Sequence, residues 1–475
     1  MEKRLTQTLF ITFLFVIGYM YLMSRYAPKQ TAPAQPVTIE QQAVPQNEAI
    51  PIETPEELSE ITLGKFVVTY SAKGGYIKSL FLKEYKTQLF PENIGFSQED
   101  KNIDFRANIG SDRIIFSASG NRNKEFIFKG DTLTIKVSPV SSSPMVIFSN
   151  NLKPKKLESN NNHEIFYYQG ENLKRLSPQK ITEQTLEKVN FAGTRDNHFC
   201  LSLTKDSYNV KWQKIDNHVF LLATPPVSQI SLYVGPCLET SLKSVGLEGV
   251  VNYGFFHSIG VGLAKLLYFF YSFSHNWGVS VIILAIITYV ILFPFTMKST
   301  KAMRRMQEIQ PLMEGLKKQY KDNPQKLNKE VLELYKKHKV NPIGGCLPLL
   351  FQFPVFIALY QVLLKFVELK NANFLWIKDL SIPDHAFKLP LPAPVDYLNV
   401  LPLFIVLVGF LQQKFATPTT GAADQKMMGF FMIGFMGIIF YNFPAGLTLY
   451  WLTQNILTFA YQLHITRAAI SREIA

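Results

Sequence analysis

The stretch WGVSVIILAIITYVILFPFTM, residues 277–297, is followed at once by KSTKAMRRM, residues 298–306. The first part carries no charge, and as a helix it reaches about 30 Å, the thickness of a bilayer's hydrocarbon core. Lys298, Lys301, Arg304 and Arg305 then mark the end that stays in the cytoplasm. Working outward from this span, the chain reads as a polytopic membrane protein. Ile343 to Leu364, Met427 to Phe443 and Leu447 to Leu463 are further spans, and Tyr397 to Phe415 is a weaker one because Asp396 and Asn399 crowd its start. Near the N-terminus, Leu5 to Met23 follows Lys3 and Arg4 and ends among Tyr19, Tyr21 and Tyr26. That run is a signal peptide or a signal anchor; it is longer than a secretory h-region and Ala32-Pro33-Ala34 is only a weak cleavage candidate, which favours an uncleaved anchor.

Phe255 to Phe273 is long enough to cross but carries Lys265 in its middle. Parity decides its place. With Lys3 and Arg4 inside, the first span leads outside and residues 277–297 return, which puts the basic segment Lys298 to Lys339 inside. One more span would invert that segment, and His275-Asn276 is too short to turn between two membrane helices. Residues 251–274 are therefore expected as an amphipathic helix lying along the outer interface.

The chain has 475 residues, a net charge of +13 and 47% hydrophobic residues, and its mean hydropathy of +0.06 averages two unlike halves. The basic excess sits beside apolar spans, so topology explains it better than nucleic acid does. From Pro28 to Glu60 the composition is rich in Pro, Gln, Glu and Ala, with nothing aromatic to bury, and reads as an extended tether. From Ile61 to Val234, short β-branched and aromatic runs alternate with polar residues. Lys65 to Tyr70, Arg113 to Ser119, Glu125 to Lys129, Thr132 to Val137, His218 to Ala223 and Gln229 to Val234 are such runs, and Gly74-Gly75 and Gly130-Asp131 punctuate them. That pattern predicts an antiparallel β-sandwich. The expected order is an anchor at 1–26, a tether at 27–60, a β-sandwich at 61–250, the interfacial helix at 251–274, and a helical core at 275–475 with a cytoplasmic hairpin at 298–340. In the hairpin, Met303, Met306, Ile309, Leu316 and Tyr320 keep helical spacing, as do Leu327, Val331 and Leu334, and Asn323-Pro324 reads as a cap followed by a proline at the first helical position. Asn341-Pro342 repeats the device.

No GxSxG, HExxH, P-loop or GxGxxG occurs, so none of those catalytic chemistries is indicated. Cys200, Cys237 and Cys346 make no CxxC or Cys/His cluster, which indicates neither a zinc site nor a disulfide framework and leaves a Cys200/Cys237 bridge open. His257, His275 and His464 fall near membrane surfaces and read as interfacial residues. Inside the spans lie uncharged polar residues. Tyr289 stands nine residues before Lys298, about 13 Å along a helix. Gln352 has a similar depth, Gln454 and Asn455 lie about ten residues from the inner end of the last span, and Gln412-Gln413 stand at the cytoplasmic mouth. These groups serve either as hydrogen-bonding glue between helices or as the lining of a wet inner cavity. The outer half is apolar, with Gly429, Gly434 and Gly437 for close packing or flexibility. A solute transporter and an envelope scaffold are the other readings such a chain allows.

Ordered motifs narrow the choice. Asn276-Trp277-Gly278, Val340-Asn341-Pro342-Ile343-Gly344-Gly345-Cys346-Leu347-Pro348, Phe351-Gln352-Phe353-Pro354 and Ala358-Leu359-Tyr360 resemble the YidC family of insertases. So do Trp376-Ile377-Lys378-Asp379-Leu380-Ser381, Thr417-Pro418-Thr419 and Asn442-Phe443-Pro444-Ala445-Gly446-Leu447-Thr448-Leu449-Tyr450-Trp451. Upstream, Gly74-Gly75, Tyr233-Val234-Gly235-Pro236 and Asn252-Tyr253-Gly254 are similar to the members with a large periplasmic domain. The resemblance implies a polytopic α-helical inner-membrane protein, an N-terminal signal anchor plus a five-helix core, with an all-β periplasmic sandwich domain. Both termini are then cytoplasmic and residues 27–274 periplasmic.

It further implies a chaperone-like insertase rather than an enzyme, one that needs no cofactor or metal. Nascent membrane proteins are its substrates, and the lipid bilayer, the Sec translocon, ribosomes and targeting factors its partners. Tyr450 and Trp451 take the place of an aromatic pair that meets substrate. The groove is expected at Tyr289, Gln352, Tyr450, Trp451, Gln454 and Asn455, and the hairpin's docking lysines at Lys317, Lys318, Lys321, Lys336 and Lys337. One departure stands out: the family's groove arginine falls on Tyr289.

Overall fold

In the computed structural model the residues described are 57–89, 91–140, 143–151, 163–170, 172–204, 208–215, 217–321, 323–340, 347–390, 397–416 and 423–474. The expected anchor, nearly all of the tether, Asn341 to Cys346 and Thr417 to Thr419 lie outside them.

Alternation builds the β domain. In Phe66–Ser71, Arg122–Lys129 and Thr132–Ser138 every second residue is buried, as a strand with one face on a core requires. The strands form antiparallel sheets of nine and six strands with a four-stranded sheet beside them. One hydrophobic core takes residues from all three, among them Leu80, Phe116, Phe126, Trp212 and Leu232, so the sheets face one another as a sandwich. The first strand, Leu58–Leu63, starts inside the expected tether and pairs with Phe66–Ser71. Its early residues were read as tether because they alternate with no hydrophobic face.

The chain leaves the nine-stranded sheet at Pro236 and passes through α1, Glu239–Ser244, to the membrane helices. Two arginines hold that exit. Arg175 Nη2 donates to Gly249 O at 2.7 Å and Arg195 Nη1 to Val250 O at 2.9 Å, while both guanidinium groups meet Glu164 Oε2. Burial works against its charge, but Arg195 and Arg175 hold the Glu164 carboxyl below its ordinary value.

α2, His257–Ser274, buries Gly260, Leu263, Ala264, Leu267 and Phe270 on one stripe and exposes Phe269, Phe273 and Leu266 on the other. It stops where His275 adopts a left-handed conformation, at φ 50°, and returns its N–H to Tyr271 O. The next residues explain the Asn-Trp-Gly motif. Asn276 Oδ1 accepts from Val279 N at 3.1 Å and so caps the following helix, and Trp277 stacks on Tyr271 with centroids 4.0 Å apart. Gly278 leaves the room that the Phe374 ring fills, where a Cβ would collide.

The helical core comprises α3, Trp277–Glu308, then α6, Leu347–Lys365, α7, Val400–Ala416, α8, Ala423–Tyr441, and α9, Ala445–Ile474. Among the described residues one segment, Trp277–Ala302, is long and apolar enough to cross a membrane by itself, and Gln352–Lys365, Val400–Lys414 and Gly429–Tyr441 are shorter apolar helices. Two boundaries move. α3 runs unbroken past Met297, because nothing in Lys298 to Glu308 disfavours helix. Tyr397 belongs to a short ribbon with Phe387–Lys388, so α7 begins only at Val400. Of the three glycines of α8, Gly429 and Gly437 face close neighbours, Gln413 and Val406, while Gly434 faces open space.

Residues 295–348 belong to a separate unit. Its helices α4, Gln310–Gln319, and α5, Pro324–Lys337, are joined by a turn in which Asn323 Oδ1 accepts from Lys326 N at 3.1 Å. Tyr335 OH reaches Met313 Sδ at 3.5 Å and ties one helix to the other.

A loop after α6 caps the bundle. Asp384 Oδ2 accepts from Val400 N and Leu401 N, satisfying the start of α7, and from Trp376 Nε1. Ala445 N and Gly446 N at the start of α9 donate to Ile382 O and Leu380 O of the same loop. At the loop's root, Tyr268 OH of α2 donates to Glu368 Oε1. Burial pushes the Glu368 carboxyl up to about 7 from its ordinary 4.5. The folded protein then keeps a proton that the unfolded chain releases, so this stabilisation is complete below pH 4.5 and is lost as the pH rises through 7. Glu368→Gln keeps an acceptor for Tyr268 without the charge. Thermal unfolding in detergent between pH 4 and 8 is expected to give the variant a flatter profile and, above neutrality, a higher midpoint than the native protein.

Candidate functional site

Polar side chains in an apolar bundle must find partners within it, since lipid offers none. Here they converge on the phenolic oxygen of Tyr450, which is fully buried in α9. Gln352 Nε2 from α6 donates to it at 2.9 Å, Thr288 Oγ1 from α3 lies 3.2 Å away, and Gln454 Nε2 approaches at 3.3 Å. Gln454 Nε2 also donates to Ala285 O and Thr288 Oγ1, each at 2.9 Å. Thr288 Oγ1 returns a hydrogen bond to its own helix at Leu284 O, 2.8 Å. The protons balance: Gln352 donates to Tyr450, Tyr450 donates to Thr288, Thr288 donates to Leu284, and Gln454 fills the remaining acceptors.

Helical spacing produces this meeting. Tyr450 and Gln454 are four apart and share a face of α9, and Ala285 and Thr288 are three apart on α3. Thr288 stands eleven residues into α3, about 16 Å from the helix's N-terminal end and so near the middle of a ~30 Å core.

The expected site residues divide. Gln352, Tyr450 and Gln454 are in the hub. Tyr289 is not its centre: its hydroxyl donates to Leu457 O at 3.3 Å and meets Thr458, farther along α9. Its ring tilts against Phe293, which in turn packs edge-on against Tyr461. Trp451, one residue after Tyr450, points elsewhere and packs on Phe440 and Phe356, with centroids 5.3 and 5.1 Å away. Asn455 enters through its backbone, whose O accepts from Gln412 Nε2 at 2.7 Å and ties α7 to α9. In the separate unit, Lys318, Lys321, Lys336 and Lys337 are exposed and Lys317 is half-buried. Thr288 was missed, because a threonine in a span bonds its own helix and reads as neutral until the facing residues are known.

The geometry makes Tyr450 the shared partner of three helices. Tyr450→Phe removes one oxygen and leaves the Gln352 amide without its acceptor, which is expected to cost about 1–2 kcal/mol of folded stability. In a double-mutant cycle with Gln454→Leu, read by unfolding in detergent, the two losses are expected to be less than additive.

The comparisons with known proteins follow this layout. Residues 269–472, which contain the hub, match the family model described as 60Kd inner membrane protein. The chain is 30% identical to the membrane protein insertase YidC of Pelobacter propionicus, over 93% of this chain and 89% of that one. With the membrane protein insertase YidC of Syntrophobacter fumaroxidans it shares 41% identity over 51% of this chain and 44% of the relative. Among solved structures, an active YidC insertase crystal structure aligns at 18% identity and a TM-score of 0.46, covering 86% of this chain and 94% of that one. Similarity to the Pelobacter protein along nearly the full length of both chains places this one: it belongs to the YidC family of membrane protein insertases, and membrane protein insertion is its function.

Proposed function

We propose that insertion proceeds along the inner half of the helical core, where uncharged hydrogen-bonding groups receive a substrate's hydrophilic tail while its apolar segment passes into lipid. The observation that carries this reading is the hub of Tyr450, Gln352, Thr288 and Gln454 inside an otherwise apolar bundle. Tyr289 and Gln412 extend it toward the inner end. These amides and hydroxyls pair with one another at rest, and an entering backbone, which needs both donors and acceptors, would exchange bonds with them. The helices of the core expose Val290, Ile291, Leu407 and Ile438, the surface that acyl chains or a departing apolar segment would cover. The capping loop at Asp384 and Leu380 closes the other end, so the path leads to lipid rather than across.

In this reading residues 1–26 anchor the chain and 27–56 tether the β domain, which lies in the periplasm. α2 lies along the outer interface with Phe269 and Phe273 in the acyl region. The five core helices α3, α6, α7, α8 and α9 cross the membrane, and both termini are cytoplasmic. The protein acts on nascent membrane proteins without a cofactor and without enzymatic turnover. The exposed lysines of α4 and α5 give ribosomes or targeting factors a cationic surface, and the Sec translocon is a partner on the membrane side.

Two tests follow. With single-span substrates whose tails are acidic or neutral, Tyr289→Arg is expected to favour the acidic tail selectively, while Tyr289→Phe slows both about twofold, as loss of one weak hydrogen bond would. Equal insertion of both tails by all three proteins would remove the groove from the mechanism. For the hairpin, replacing Lys318, Lys321, Lys336 and Lys337 by Gln is expected to reduce ribosome co-sedimentation with proteoliposomes several-fold at low salt and little at high salt. Undiminished co-sedimentation at low salt would exclude docking there.

A further inference from the structure

Cys200 and Cys237 are far apart in sequence and neighbours in the β domain. Cys200 lies in the strand Phe199–Leu203, opposite Gly235 of the strand Gln229–Pro236. Cys237 follows that strand directly, and its N–H donates to His198 O at 2.7 Å, which sets it opposite His198. The two cysteines are therefore diagonal across one antiparallel pair and project from the same face. On that face both pack in one cluster with Phe166, Tyr233, Leu242, Leu247 and Val250, near enough for each sulfur to act on the other electrostatically. Both side chains are free thiols in this structure.

We propose that Cys200 and Cys237 close a disulfide once the β domain reaches an oxidising compartment, and that this bridge staples the sheet at the point where the chain leaves it for the membrane helices. The compartment rests on the external placement proposed above; the geometry does not. Cys237 is partly exposed while Cys200 is buried, so exchange starts at Cys237. Its thiolate attacks one sulfur of a donor disulfide and expels a thiolate that takes up a proton. Cys200 then attacks Cys237 Sγ in the mixed disulfide and releases the donor's second thiol. Two electrons and two protons pass from the cysteines to the donor, which becomes two thiols. Burial pushes the Cys200 thiol well above its ordinary value, which slows this second step.

The position gives the bridge its role. Leu242, Leu247 and Val250 lie over the pair, and Arg195, close enough to both sulfurs to interact electrostatically, holds Val250 O. A covalent link beneath that strap keeps the sheet's exit in place when the arginine contacts open.

The test uses the full-length protein on a Cys346→Ser background, purified in detergent after alkylation in intact cells. Mass-tagging of thiols under denaturing conditions is expected to find none until reductant is added, and proteolysis to yield a peptide joining Cys200 to Cys237. Cys237→Ser should free Cys200, and reduction should lower the thermal midpoint by roughly 5–10 °C. Free thiols in cells that also stay free after equilibration with excess oxidised glutathione would overturn the pairing itself. A bridge that forms with glutathione but is absent from cells would overturn its formation in vivo and would count against the external placement, leaving the geometry intact. A dimer joined through Cys237 would overturn the intramolecular bridge.

Discussion

A bilayer offers no hydrogen bonds, and the core of this protein is arranged around that constraint. Tyr450 is a large aromatic residue whose single oxygen must be satisfied where water is scarce, and three other side chains meet it. Each net bond is modest, about 1 kcal/mol or less between membrane helices. Leaving any of these groups unpaired would cost more, about 1–3 kcal/mol. The hub therefore fixes which faces of α3, α6 and α9 oppose one another more than it adds to their attraction. Once those faces are set, Trp451 is aimed at Phe440 and Phe356, and Tyr289 at the backbone of α9.

The helix ends beside the loop after α6 follow a second form of the same constraint. Helix termini have unsatisfied backbone groups, and the loop after α6 supplies them with partners. Asp384 takes the first amides of α7, while Leu380 O and Ile382 O take those of α9. Asn399 links His385 N to Tyr441 O and so joins the starts of α7 and the end of α8 to the loop. Because one loop serves several helix ends, a shift in any of them disturbs the rest. Val367 of this same region packs in the β-domain core, Asn371 Nδ2 bonds Tyr85 O, and Lys365 Nζ reaches Asn252 O. The β domain is thereby held to the loop that caps the helices.

Much of this was legible because periodicity reports burial. Arg113–Ala118, Arg122–Lys129, Thr132–Ser138 and His218–Ala223 alternate or carry β-branched runs, and they lie within a residue or three of where that pattern puts them. Phe191–Arg195 and Phe199–Leu203 did not stand out, because every residue in them is buried and alternation vanishes on a strand covered on both faces. The cap at Asn323 was readable from Asn-Pro alone. In the site, Gln352, Gln454 and Tyr450 could be named as polar residues in apolar runs. Their meeting point could not, since it depends on the rotation of three helices about their axes. Thr288 shows the limit: its hydroxyl satisfies itself on its own helix and signals nothing until Tyr450 and Gln454 arrive opposite.

The tyrosine at position 289 bears on how such a site handles charge. A guanidinium there would lose several kcal/mol of hydration and would need water or an acid to offset it. Tyr289 asks for one acceptor and finds it at Leu457 O. None of the hub's side chains carries a charge, so in the function proposed above the site would offer an entering tail directional bonds without a long-range field. On that proposal attraction over distance would fall to other parts of the chain, such as the exposed lysines Lys318, Lys336 and Lys337 of α4 and α5. Separating the two roles removes a conflict. In the function proposed, a cation strong enough to draw an acidic tail inward would also hold that tail once it arrived, whereas a neutral hub would bind a hydrated backbone only as long as the apolar segment behind it stayed out of the lipid.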